Sequence, residues 1–279
     1  MLKPQVILLA VASVLVVALS FLPKVVVKNP SGLATQESLD NKVAQNQKDS
    51  SHTASNMPLS KVQQERINAW KQKFSKAKEE KEQVQWRDSL MTAFKAANQW
   101  DSAAFYAERL AENYPKEQNW LQAAETYFEA FSFALNAEKM KSIGQKSYDL
   151  YEKVLALNPD NLLAQTKMGV LYKNLNPQAP MKGIQMISAV IKKDPNNELA
   201  LFYLGSLFME RGAFTEAIER LEKVVKLNPK NADAWIYLAQ AYEANKEPEK
   251  AKESLSKVLD LEVAPEIKEE IRKKIKVNP

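Results

Sequence analysis

The sequence predicts an all-α protein in which antiparallel helix pairs stack into a solenoid behind one N-terminal apolar helix. Three observations carry this. The spacing of Leu201, Leu204-Gly205, Phe208, Ala217, Leu221, Val224 and Pro229 recurs with a period near 34 residues, a length that suits one helical hairpin per repeat rather than a single compact core. Successive units close on Asn158-Pro159-Asp160-Asn161, Asp194-Pro195-Asn196-Asn197 and Asn228-Pro229-Lys230-Asn231. Proline disfavours helix in the residue before it and cannot donate to the helical ladder, so it ends each second helix, while the Asn or Asp downstream can cap the next one. Finally, Val6 to Leu22 is apolar apart from Ser13 and Ser20.

That first segment, within residues 1–27, is 17 residues long and is bracketed by Lys3-Pro4 and Pro23-Lys24. As a helix it spans ~25 Å, at the short end of what crosses a bilayer core. It reads either as an uncleaved single-pass anchor or as a signal peptide cleaved near Ser20, leaving a secreted periplasmic protein. The run outlasts a usual signal core of about 7–15 residues, which favours the anchor. Basic residues nearly balance across it. Segments of this layout commonly export the domain C-terminal to them, so the repeats are expected on the extracytoplasmic (periplasmic) side. Residues 28–57 hold no aromatic side chain and are rich in Ser, Asn, Gln, Asp and Lys. They cannot bury enough apolar area to offset ordering entropy and read as a flexible tether, with a mean reach on the order of 30 Å.

Residues 58–83 are expected to form a capping helix. Ser60-Lys61-Val62-Gln63 has capping-box form, and Val62, Ile67, Trp70, Phe74 and Ala77 make an approximate helical stripe; the charged stretch Lys76 to Glu82 leaves a short coiled coil as the alternative. Five repeats come next, over 84–116, 117–161, 162–197, 198–231 and 232–265. The second is enlarged: Ala123 to Pro159 covers 36 residues where Leu204 to Pro229 covers 25, an excess of about three helical turns that lengthens the hairpin without rotating its buried faces. Residues 266–279 form a second capping helix, with Ile267, Ile271 and Ile275 on one stripe. Its Lys273, Lys274 and Lys276 complement the negative end of the helix dipole.

On the frame from Glu198, a large residue stands at place 4, Leu-Gly at 7 and 8, an aromatic at 11, a small residue at 20, aliphatics at 24 and 27, and proline at 32. This resembles the tetratricopeptide repeat, W-x2-L-G-x2-Y followed by A-x3-F, A and P. The frame from Ala232 matches through Trp235, Leu238-Ala239, Tyr242, Ala251, Leu255 and Val258, with Val263 in place of the closing proline. The resemblance implies a concave groove lined by first-helix residues at places 2, 5, 9, 12 and 13. Carried over, those places supply a partly apolar surface of Leu121, Phe128, Val170, Phe202, Met209 and Ile236 as the candidate peptide-binding residues. Some of these could instead pack on a neighbouring repeat or cap. Tyr203 and Tyr237 read as ordinary packing residues. Family members that grip a terminal carboxylate carry Lys and Asn at places 5 and 9, and that clamp is absent here.

Net charge is +5 over the whole chain and only +3 from residue 58 onward, with signs alternating along the helices. No clustered basic face suggests nucleic-acid binding. His52 is the lone histidine and lies in the tether, and there is no cysteine. Catalytic triads and His- or Cys-based metal sites are therefore not expected in the folded region. The six glycines form no phosphate-binding pattern. The sequence predicts a non-catalytic, membrane-tethered scaffold for a protein or peptide partner, with no cofactor and no small-molecule substrate; a chaperone-like holdase for exported or unfolded chains is the alternative.

Overall fold

The computed structural model describes residues 59–134 and 136–277; the apolar segment and tether predicted over 1–57 lie outside them. The described residues form twelve α-helices and no strand. A leading helix α1 (Lys61–Lys76) precedes five hairpins: α2 (Glu80–Ala96) with α3 (Trp100–Asn113), α4 (Glu117–Ser132) with α5 (Ala137–Leu157), α6 (Leu162–Leu175) with α7 (Pro180–Lys193), α8 (Glu198–Glu210) with α9 (Phe214–Leu227), and α10 (Ala232–Ala244) with α11 (Pro248–Leu259). A final helix α12 (Pro265–Val277) closes the array. Each packs mainly on its chain neighbours, as expected where every repeat buries its apolar face on the next.

Side-chain caps fix the starts of α6, α8 and α10. Asn161, Asn197 and Asn231 accept through Oδ1 from the backbone N–H of Ala164, Ala200 and Ala234 at 2.9, 3.1 and 2.9 Å. The same asparagines serve a second purpose. Asn158 and Asn161 both donate through Nδ2 to Glu117 at 2.8 Å, and Asn228 and Asn231 donate to Glu198 at 2.9 Å. A glutamate opening a repeat's first helix thus ties down the Asn-Pro-x-Asn turn that closes the same repeat, and these two bonds hold the Glu117 carboxyl below its usual range. The third repeat opens on Leu162, which has no carboxylate; there Asn197 donates to Asp194 at 3.2 Å instead.

Relative to the regular hairpin α8/α9, with helices of 13 and 14 residues, the second hairpin has helices of 16 and 21. Most of its extra length is therefore in α5. Small residues set the tightest helix approach. A Cβ on Gly183 would lie 2.8 Å from the Lys173 nitrogen and closer still to the carbonyl oxygen of Gly169, so α6 and α7 touch backbone to backbone.

Both caps differ in detail from expectation. The capping box at Ser60 forms, with Gln63 N–H donating to Ser60 Oγ at 3.3 Å and Ser60 N–H to Gln63 Oε1 at 2.9 Å. The helix ends at Lys76, well before residue 83, because the first repeat pins the break: Tyr114 donates to the Lys78 carbonyl at 2.9 Å, Gln83 Nε2 donates to the Ala77 carbonyl at 2.9 Å, and Lys116 pairs with Glu80. Ile67 and Phe74 are buried, whereas Val62 is 65 % exposed and does not belong to the stripe. At the other end Ile271 is buried but Ile267 is exposed. There Lys274 makes a specific bond to Glu243 at 2.8 Å, beyond any general complement to the dipole.

The interior falls into two apolar clusters. One runs from Ile67 to Leu207, the other from Leu201 to Ile271, and α8 contributes to both. Deep in the first, Tyr151 is fully buried and its hydroxyl has no hydrogen-bond partner among the described residues. Leaving such a group unmade costs roughly 1–3 kcal/mol. Tyr151→Phe is therefore expected to stabilise the protein by about 1–2 kcal/mol, seen as a higher urea midpoint with an unchanged slope; a lower midpoint would show that the hydroxyl is satisfied.

Candidate functional site

The first helices α4, α6, α8 and α10 present the residues predicted to line the groove, and the structure divides those residues between the two interior clusters. Phe128 and Val170 are buried in the first cluster, with Leu121 half-buried against it; Phe202, Met209 and Ile236 are half-buried against the second. One side chain joins the halves, and a second extends the contact along α10. Tyr203 meets Phe128 of α4 edge-on at 6.2 Å between centroids and Phe202 of α8 at 5.8 Å. Tyr237 of α10 meets Phe202 at 5.4 Å. An aromatic row thus runs Phe128, Tyr203, Phe202, Tyr237, drawn from the second, fourth and fifth repeats. Burial, with the charge of Glu125 nearby, pushes the Tyr203 hydroxyl up to about 12. Tyr203 does pack, as its sequence position suggested, but it packs between groove residues; Tyr237 is 36 % exposed.

Polar groups beside the row belong to the same face. Lys167 of α6 lies over the Phe128 ring at 4.0 Å and over Tyr203 at 5.9 Å, a placement that stabilises a partly desolvated cation. Glu125 stands 3.8 Å from its ammonium. Desolvation nonetheless lowers the lysine's pKa. Other groove charges are closed on one another across repeats: Lys95 of α2 pairs with Glu129 of α4, and Lys173 of α6 with Glu210 of α8. Lys167 was missed because it stands at place 6, next to rather than among the family's groove places. The available signal was that Lys167, Tyr203 and Tyr237 fill the same place in three successive frames.

A separate cleft of ≈ 540 Å³ opens between α1 and α2, with Ile67, Trp70 and Ala93 on its apolar wall and Asp88 and Thr92, at places 5 and 9, on its polar one. It contains none of the six predicted groove residues. Among the described residues no three His, Cys, Asp or Glu side chains gather in a metal-binding cluster, and no helix is long and apolar enough to cross a membrane; the segment Val6 to Leu22 lies outside them.

Family models described as tetratricopeptide repeat match residues 90–117, 180–222 and 208–269. The array has the tetratricopeptide repeat fold. Solved structures agree on the fold. A tetratricopeptide repeat protein from Parabacteroides merdae is 14 % identical, aligning 77 % of this chain with 78 % of its own at a TM-score of 0.57. A thermophilic TPR protein of Thermus thermophilus is 15 % identical, aligning 70 % of this chain with 97 % of its own at a TM-score of 0.54. Comparison with curated proteins gave no match.

Proposed function

We propose that this TPR solenoid is a non-catalytic scaffold that binds a segment of a partner protein along the face formed by α4, α6, α8 and α10. The observation carrying this reading is the row Phe128, Tyr203, Phe202 and Tyr237, which joins aromatic surface of the second, fourth and fifth repeats and leaves Tyr237 open to solvent. Leu121, Val170, Met209 and Ile236 extend that surface, and extended apolar surfaces of solenoids suit peptides or single helices. The apolar run Val6 to Leu22 supports a further proposal, that the scaffold is tethered to a membrane with its repeats on the extracytoplasmic side.

A crosslinking pull-down of the full-length protein from its own membrane tests both parts. A stoichiometric partner is expected, and Phe202→Glu should weaken its binding at least tenfold, since it sets a carboxylate where apolar side chains of the partner would be buried, while circular dichroism shows the variant still folded. Unchanged binding by a folded Phe202→Glu protein refutes the groove. Many weak partners in place of one point to the holdase. Recovery of the chain in the soluble fraction removes the tether.

A further inference from the structure

We infer that the concave face reads the side-chain carboxamide of an asparagine or glutamine set in an otherwise uncharged, apolar partner segment, with Lys167 and Glu125 as the reading pair. This rests on the peptide-binding role proposed above and names the chemistry of the peptide. Lys95 and Lys173 are neutralised by Glu129 and Glu210 of the following repeats, so the face offers little net charge to a charged ligand. Lys167 and Glu125 make a loose ion pair at 3.8 Å, longer than a hydrogen bond. The rings of Phe128 and Tyr203 also lie against the ammonium, the Glu129 carboxylate acts on it from beside its own partner Lys95, and Lys167 and Glu125 both reach solvent, at 15 % and 36 % exposure.

A donor and an acceptor side by side present a dipole, and their complement is a group with an acceptor and a donor on one edge. A primary carboxamide has its oxygen and nitrogen about 2.3 Å apart, from ordinary amide bond lengths. Hydrogen bonds of about 2.9 Å from Lys167 to its oxygen and from its NH2 to Glu125 then splay by only roughly 15°. A backbone peptide unit cannot make this pair of contacts, because its trans geometry points C=O and N–H to opposite sides. A carboxylate would face Glu125, and a cationic side chain would face Lys167. Phe202 and Tyr237 are then left to take the apolar residues that flank the amide.

The test uses the full-length protein and synthetic peptides sharing one frame of leucine, serine and phenylalanine, with the central residue varied among Gln, Glu, Lys and Met. Fluorescence anisotropy should rank Gln at least tenfold above the other three, with little change between low and high salt. Glu125→Gln should invert the ranking in favour of the Glu peptide, because Lys167 keeps its charge and no carboxylate opposes the ligand. Lys167→Met should abolish the discrimination while leaving apolar binding in place. Binding that depends on Phe202 but ignores the central residue overturns the carboxamide inference and leaves the groove intact; so does a parent preference for Glu, which would assign an acidic ligand. Binding of no peptide, or binding that survives Phe202→Glu, overturns the groove and the inference together.

Discussion

Gly183→Ala is expected to destabilise the protein by about 3 kcal/mol, at the upper end of what overpacking costs. The added methyl meets backbone on both sides, the Gly169 carbonyl oxygen and the Lys173 amide nitrogen, and backbone cannot rotate out of the way. The gain of about 1 kcal/mol in helix propensity offsets only part of the strain. Gly205→Ala is the informative comparison. Its Cβ would meet Leu221 Cγ at 2.9 Å and Cδ2 at 3.1 Å, a buried side chain that must shift but is not backbone, so the cost there should be smaller, ~2 kcal/mol. Urea unfolding of both variants checks this. Equal costs would show that the α6/α7 crossing has room to open.

Raising the pH through 10 should unfold the protein far more steeply than surface lysine titration alone would do. Burial raises the pKa of Tyr127, Tyr151 and Tyr203, with Tyr203 reaching about 12 against an ordinary 10.0. Tyr127 is held further by its hydrogen bond to the buried Glu108 at 2.9 Å. A raised folded-state pKa means that the unfolded chain loses its protons first. The stability these groups contribute is complete below pH 10 and disappears as the pH climbs through the folded values, for Tyr203 a loss of about 2 kcal/mol by pH 12. Lys167 acts with the opposite sign and at lower pH: its depressed value penalises the folded state until the ammonium deprotonates, a penalty relieved as pH rises toward the ordinary lysine range of 10.5. Urea midpoints at pH 8, 10 and 11 should therefore drop sharply only across the last interval, and Tyr203→Phe should flatten the drop. A flat profile would mean that the tyrosines are hydrated in the folded protein.

The fold was legible because three of the five repeats write the end of one helix and the start of the next in the sequence. Asn-Pro-x-Asn gives both the stop and the next cap, and Gly169, Gly183 and Gly205 mark the close crossings. What periodicity could not show was the end of the first cap, since Lys76 to Glu82 keeps helical composition and the break is imposed by Tyr114 and Lys116 from beyond it. Val62 and Ile267 fit an apolar stripe by spacing, yet each lies in the first turn of its terminal helix and stays exposed. The groove was half legible. Family spacing pointed to Phe128 and Phe202, but not to Lys167, whose role comes from the ring it lies over and from Glu125 two helices earlier in the chain.

Helix α8 gives Ala200, Leu204 and Leu207 to one buried cluster and Leu201 to the other. It is therefore the seam along which the solenoid can come apart in stages. Loss of the C-terminal cluster exposes only one edge of α8 and leaves the first three hairpins with their interior intact, whereas loss of the first cluster strips the opposite edge and removes support for both halves. Fraying is thus directional: opening that begins at α12 can halt at α8, and a partial unfolding event there would dismantle Tyr237 and its neighbours while the Lys167 end of the groove stays assembled.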